Sequence, residues 1–300
     1  MIEIRGVTKG FDHAEAVKGI NMQINRGSIY GLLGSNGAGK TTLLKMMAGI
    51  YKPDSGSITV LGEEIYENGL RKQKVLFLPD TPYFFPQATI NQLARFYQGM
   101  YPSWNEGRFQ ELSSIFSIPL NKKVHRLSKG MRRQVLFWLA LSCMPEYLLL
   151  DEPLDGLDAV MRKKIKQLLV EDVAEREMTI ILSSHHIREL EDLCDHIGIL
   201  HKGELLMEKE LDELKMDIHK IQIAFKGEIP NGFLKSLNVV HQEKRGSVLL
   251  CIVRGKEKRI LSIIESFRPV VFDILPLTLE EIFIYEMEVA GYAIENVIVS

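Results

Sequence analysis

Along the first part of the chain, apolar residues recur at a period of two and then in short unbroken runs. Ile20, Met22 and Ile24 alternate with polar neighbours, Asn25-Arg26-Gly27 turns the chain, and residues 28–33 form a continuous apolar stretch. Alternation predicts a half-buried strand, whereas a short continuous run predicts a strand covered on both faces. Further runs of the second kind lie at 75–78, 147–150, 179–182 and 197–200. A helix is expected over 41–48, stopped by Gly49 and Pro53. Between Pro79 and Pro145 the period becomes helical over 89–100, 105–116 and 129–142, with Ile90, Leu93, Phe96 and Tyr97 at helical spacing on the first. This predicts an α/β sheet with a helical insert at about residues 87–145.

From about Lys220 the pattern changes again. Strand 221–225, helix 231–236, strands 237–241 and 247–253, helix 256–266 and strand 270–274 give the order βαββαβ, which predicts a ferredoxin-like accessory domain. The closing helix, 278–289, starts at Thr278 with Glu281 three residues on, the spacing of a capping box. The expected division is 1–215 and 216–300, with no internal repeat.

Composition narrows the function. A 300-residue chain that is 46% hydrophobic and 25% charged can bury a full α/β domain plus a small second one. Lys and Arg (37) nearly balance Asp and Glu (39), so no sequence-wide attraction to nucleic acid exists and no nucleic-acid partner is expected. Cys143, Cys194 and Cys251 are odd in number and scattered, which predicts reduced thiols and a cytoplasmic chain. Residues 1–5 show no signal-peptide pattern, and the apolar run 136–150 contains Pro145 and Glu146 and falls short of the roughly 20 residues needed to span a bilayer. No direct membrane span is expected; a membrane role would pass through a partner.

The chemistry lies in a few short segments. Gly34-Ser35-Asn36-Gly37-Ala38-Gly39-Lys40-Thr41, between a predicted strand and a predicted helix, matches G-x-x-x-x-G-K-[ST], and Thr42 continues the helix. Glycines let backbone N–H groups close on phosphates, Lys40 is placed for the β- and γ-phosphates, and the Thr41 hydroxyl for Mg²⁺. Leu148-Leu149-Leu150-Asp151-Glu152 is an apolar strand ending in two acids. At the carboxyl edge of a sheet Asp151 can hold the metal side of a nucleotide site, and Glu152 can take a proton from attacking water. Alone, such a pair would be a solvated turn; the glycine loop reverses that reading.

These segments, with Leu127-Ser128-Lys129-Gly130-Met131, resemble the ATP-binding subunits of ABC transporters, over about the first 210 residues. The resemblance implies a P-loop NTPase fold of the ABC ATPase type, an ATPase using ATP and Mg²⁺, and a homodimer or a heterodimer with a sibling subunit that drives an integral membrane permease from the cytoplasmic face. It implies that Ser128 and Gly130, in a segment similar to the LSGGQ signature, complete the ATP pocket of the opposite subunit. Asp158, in Asp155-Gly156-Leu157-Asp158, resembles the family's D-loop, and His185, in Ser183-Ser184-His185, its γ-phosphate histidine. Phe11 stands where the family stacks an aromatic on adenine; an edge or core aromatic is the competing reading. A metal group of His185, His186, Cys194 and His196 is disfavoured because the cysteine has no C-x-x-C partner.

Two departures stand out. Asp80 occupies the place of a family glutamine, where a carboxylate can ligate Mg²⁺ but adds negative charge, and Lys129 replaces the first signature glycine. Both bear on hydrolysis more than on ATP binding, which keeps open an ATP-gated regulatory module with little turnover. Thr81-Pro82-Tyr83-Phe84-Phe85-Pro86 reads equally as a docking surface for a permease helix or as packing between core and insert. The resemblance is closest to the subunits of bacterial exporter-type systems, and implies export.

Overall fold

The protein's structure, a computed structural model, describes residues 1–12, 14–216 and 218–289. Two units divide the chain, Met1–Glu208 and Lys209–Ser300.

In the first unit β1 (Ile2–Phe11) pairs antiparallel with β2 (Ala14–Ile24), and β3 (Ile29–Leu33) runs through the glycine loop into α1 (Lys40–Met47). With β4 (Ser55–Val60) and β5 (Glu63–Glu64) the first two strands make a sheet ordered β2-β1-β4-β5. The short α2 (Gly69–Lys72) precedes β6 (Val75–Leu78), and the insert follows as α3 (Ile90–Met100), α4 (Glu106–Phe116) and α5 (Lys129–Ser142). Then come β7 (Tyr147–Asp151), α6 (Ala159–Arg176), β8 (Thr179–Ser184), α7 (Ile187–Glu191), β9 (His196–His201) and β10 (Glu204–Glu210). The second sheet is ordered β10-β9-β3-β8-β7-β6, parallel from β9 to β6.

Strand β1 went unread in the sequence for a physical reason. Its alternation starts at Ile2 and Ile4, both buried, but the register shifts between Ile4 and Val7 around Gly6, so the apolar parity breaks. Leu43, Leu44, Met46 and Met47 of α1 share one core with Ile2, Ile4, Ile20 and Ile58 of the antiparallel sheet and Leu32, Leu149 and Ile181 of the parallel one. Each fully buried aliphatic side chain there stabilises the fold by about 1.5–3 kcal/mol, so α1, and the loop before it, is held from both sides. In the insert Trp138 stacks on Phe109 at 4.9 Å and donates its indole N–H to the Phe109 carbonyl at 2.8 Å.

The second unit holds α8 (Leu211–Met216), β11 (Ile218–Ala224), α9 (Phe233–Ser236), β12 (Asn238–Arg245), β13 (Val248–Arg254), α10 (Glu257–Ser266), β14 (Val271–Leu275) and α11 (Leu279–Val289). From β11 to β14 the order is βαββαβ, and the antiparallel sheet runs β12-β13-β11-β14, the ferredoxin-like arrangement. Its core joins Ile221, Ile223, Cys251 and Val253 to Phe233, Ile260 and Ile264. Helix α8, which spans the boundary expected from sequence, contacts β11 and α11 of this unit. At the start of α11 Thr278 and Glu281 cap each other: the Thr278 N–H donates to the Glu281 carboxylate (3.0 Å) and the Glu281 N–H to the Thr278 hydroxyl (3.2 Å).

Candidate functional site

The register of the parallel sheet sets the site. Leu33 of β3 lies opposite Ser184 of β8, and Ser183 opposite Asp151 of β7, so three strands end at one edge. Ligands of open α/β sheets bind outside such carboxyl ends. The loop from β3 crosses this edge and enters α1 at Gly39, whose φ of +106° is left-handed and whose added Cβ would sit 2.3 Å from the Ala16 carbonyl oxygen. Only glycine fits there. A cleft of about 600 Å³ opens beside the loop, lined by Ser35 through Thr42 and, from other strands, by Asp80, Asp151 and Glu152. Gly34 is buried behind it.

Charged groups converge on this edge. Lys40 is 5% exposed, and its ammonium meets the carbonyls of Gly34 (2.5 Å) and Ser35 (3.2 Å) and Oε1 of Glu152 (3.3 Å). Its three donors therefore have three acceptors, and a phosphate oxygen entering the cleft would compete for them. Asp151, 3% exposed, accepts from the Thr41 hydroxyl at 2.8 Å and the Ser183 hydroxyl at 2.7 Å. Ser183 also accepts from the Glu152 N–H at 3.0 Å, and so joins the two acids. Glu152 sits at φ +45°, a left-handed conformation that costs a non-glycine residue about 1–3 kcal/mol and is held only by its surroundings. Its Oε2 lies 3.0 Å from Nδ1 of His185, and the His186 ring centroid lies 3.8 Å from that of His185.

The donor set suits Mg²⁺. A threonine hydroxyl against a buried carboxylate offers hard oxygen ligands, and among the described residues no group of three or more His, Cys, Asp or Glu is placed to hold a metal. A cation bound by one or two side chains, completing its shell with substrate phosphates and water, is the Mg²⁺ mode. The same absence of a three-ligand group bears on His185, His186, Cys194 and His196.

The other expected residues, Asp80 apart, are not in the cleft lining. Ser128 caps α5, accepting from the Met131 N–H at 3.2 Å, and is exposed; Gly130 leaves no room for a side chain, because an added Cβ would lie 2.7 Å from the Gly156 carbonyl. Asp158 caps α6 through the Met161 N–H at 2.9 Å. Phe11 is half exposed and meets Tyr51 edge-to-face at 5.4 Å. In the aromatic loop Phe85 packs on Phe96 at 5.4 Å while Tyr83 is 83% exposed. Asp80 lines the cleft, but its Oδ1 accepts from Arg133 at 2.8 Å. Arg133 and the bridging role of Ser183 were not anticipated. The available signal for Arg133 was a charged residue at the head of the apolar run beginning at Val135.

The ABC transporter family model matches residues 17–155. The chain is 35% identical to the ABC transporter ATP-binding protein YtrB of Bacillus subtilis (strain 168), over 95% of this chain and 97% of that protein. This chain belongs to the ABC transporter ATP-binding proteins. It is an ATP-binding subunit and an ATPase with the ABC cassette fold. The bacitracin transport ATP-binding protein BcrA of Bacillus licheniformis is 34% identical over 72% of this chain and 71% of its own length. A solved dimeric structure of MJ0796, a bacterial ABC transporter cassette, superposes with a TM-score of 0.64 at 25% identity, covering 70% of this ABC subunit and 99% of that cassette. Among the described residues of this ABC subunit no helix is long and apolar enough to cross a membrane.

Proposed function

We propose that two copies of this subunit, or one copy and a sibling, enclose two ATP molecules and drive a membrane permease from its cytoplasmic side, in the direction of export. The observation that carries this reading is the meeting of Lys40, Thr41, Asp151, Glu152 and His185 at one sheet edge, with the signature residues Ser128 and Gly130 elsewhere on the surface. The dimeric MJ0796 cassette supports pairing, and the likeness to a bacitracin transport protein supports export.

Glycine-loop residues Gly34 to Gly39 and Thr42 cradle the phosphates, Lys40 meets the β- and γ-phosphates, and Phe11 faces the adenine. Thr41 and Asp151 would hold Mg²⁺, which would supply positive charge against the charge developing on the phosphates. Glu152 accepts the proton of the attacking water, and His185, beside its carboxylate, faces the γ-phosphate. Ser128 and Gly130 close the partner's pocket, and Asp158 lies in the segment linking the two sites.

Replacing Glu152 by Gln removes the base and keeps the shape. ATP turnover is expected to fall by about 100-fold or more, with ATP binding retained and an ATP-bound dimer accumulating in light scattering. Unchanged turnover refutes the base assignment, and a monomer at saturating ATP refutes the sandwich.

A further inference from the structure

One buried cation at the site edge has no part in that chemistry. Arg133 is 2% exposed, lies at the start of the second turn of α5 three residues after Gly130, and spreads its guanidinium across the ends of the neighbouring strands β6 and β7. One terminal nitrogen donates to the Glu152 carbonyl; the other donates to the carbonyl of Asp80 and, at 2.8 Å, to its Oδ1. The two anchored residues are unusual in themselves. Glu152 carries left-handed backbone with its N–H fixed by Ser183, so Arg133 fixes the other side of the same strained residue. Asp80 is a carboxylate in the lining of the phosphate cleft, 45% exposed, where a lone negative charge would repel a triphosphate.

We propose that Arg133 is a positioning residue that neutralises Asp80 and holds the Glu152 backbone, tying the ATP cleft to the helix that begins with the signature residues, and that Asp80 is its anchor and not a metal ligand. A planar fork with fixed donors can span both strand ends, which a lysine ammonium cannot. The pair also accounts for an aspartate at this place: its charge is cancelled from behind by a buried guanidinium. The Glu152 part rests on the function proposed above; the Asp80 part does not.

The test is a mutant cycle read by calorimetry with ATP, in EDTA and across a Mg²⁺ titration, using the full chain. Arg133→Gln strands the Asp80 charge and is expected to weaken ATP binding about tenfold. Adding Asp80→Asn to that variant restores affinity to within about threefold, the coupling expected of contacting partners. Asp80→Asn alone leaves the Mg²⁺ concentration for half-maximal ATP binding within about twofold. A double variant as weak as Arg133→Gln, or a tenfold rise in the Mg²⁺ midpoint for Asp80→Asn, overturns the proposal. Should Arg133→Gln fail to fold, Arg133→Lys keeps the charge but not the fork. It should hold KM for ATP within about threefold while kcat falls about tenfold, and an unchanged kcat overturns the positioning of Glu152. Repeating the binding cycle in the Glu152→Gln background separates the two readings, because the Asp80 coupling persists there whether or not Glu152 is the base.

Discussion

The two units bury different kinds of side chain. In the second, the fully covered positions among the described residues are apolar, Phe233, Ile252 and Ile264 among them, plus the thiol of Cys251. In the first, Lys40, Arg133, Asp151, Asp172 and Glu189 are all under 9% exposed. A buried charge costs several kcal/mol unless partnered, and each of these has partners. Asp172 is held by Arg108 at 2.8 Å and Arg176 at 2.9 Å, and Glu189 by the Ser184 hydroxyl at 2.9 Å, away from the cleft. Buried charge alone therefore does not mark the site; it does so where such charges border one cleft and a strained residue sits among them. The second unit has an interior built for packing and, among the described residues, no comparable cluster.

The contrast can be broken from either side. The largest effect on ATP affinity is expected at Lys40. Lys40→Ala removes the buried ammonium that the phosphates would share with Glu152, and ATP affinity measured by calorimetry should fall by two orders of magnitude or about 3 kcal/mol. Equal affinity would place the phosphates elsewhere. Next is Phe233, fully buried and in edge-to-face contact with Phe225 at 5.0 Å and Phe267 at 5.3 Å. Phe233→Ala should destabilise the second unit by about 3–5 kcal/mol, seen as lost hydrogen-exchange protection in β13, while ATP affinity stays constant. A matching loss of affinity would show that the site depends on the second unit.

The smallest effect is expected at Glu281. Burial raises its pKa, but the hydrogen bonds from Lys220 (2.6 Å) and from the Thr278 N–H outweigh this, and the net shift is downward. A lowered carboxyl pKa contributes stability that is present above the ordinary value near 4.5 and lost as pH falls below it. Glu281→Gln should cost about 1 kcal/mol or less at neutral pH through the lost ion pair with Lys220, since glutamine still accepts from the Thr278 N–H as Gln92 does from Thr89. It should also flatten the acid-side loss of stability of the second unit, followed by hydrogen exchange from pH 5 to 3. An unaltered acid profile would sink the assignment.

Local signals were enough for much of this protein. Short apolar runs marked the parallel strands, the loop from Gly34 to Thr41 and the acids after Leu150 marked the sheet edge that bears the cleft, and the motif order pointed to the family, because each depends on residues adjacent in the chain. The same holds for the βαββαβ order and for the cap at Thr278. The rest depended on distance in sequence. Strand β1 was hidden because a bulge breaks its parity, and the inner strand β4 and the edge strands β5 and β10 because too few of their residues face a core. The partners of Arg133 lie 53 and 19 residues away, and Ser183 meets Asp151 across 32. Side-chain identity determined which groups were present; only the packing of α5 against the ends of β6 and β7 decided that Asp80 faces a guanidinium, since desolvation forces a buried cation onto whichever acceptors the fold brings within reach.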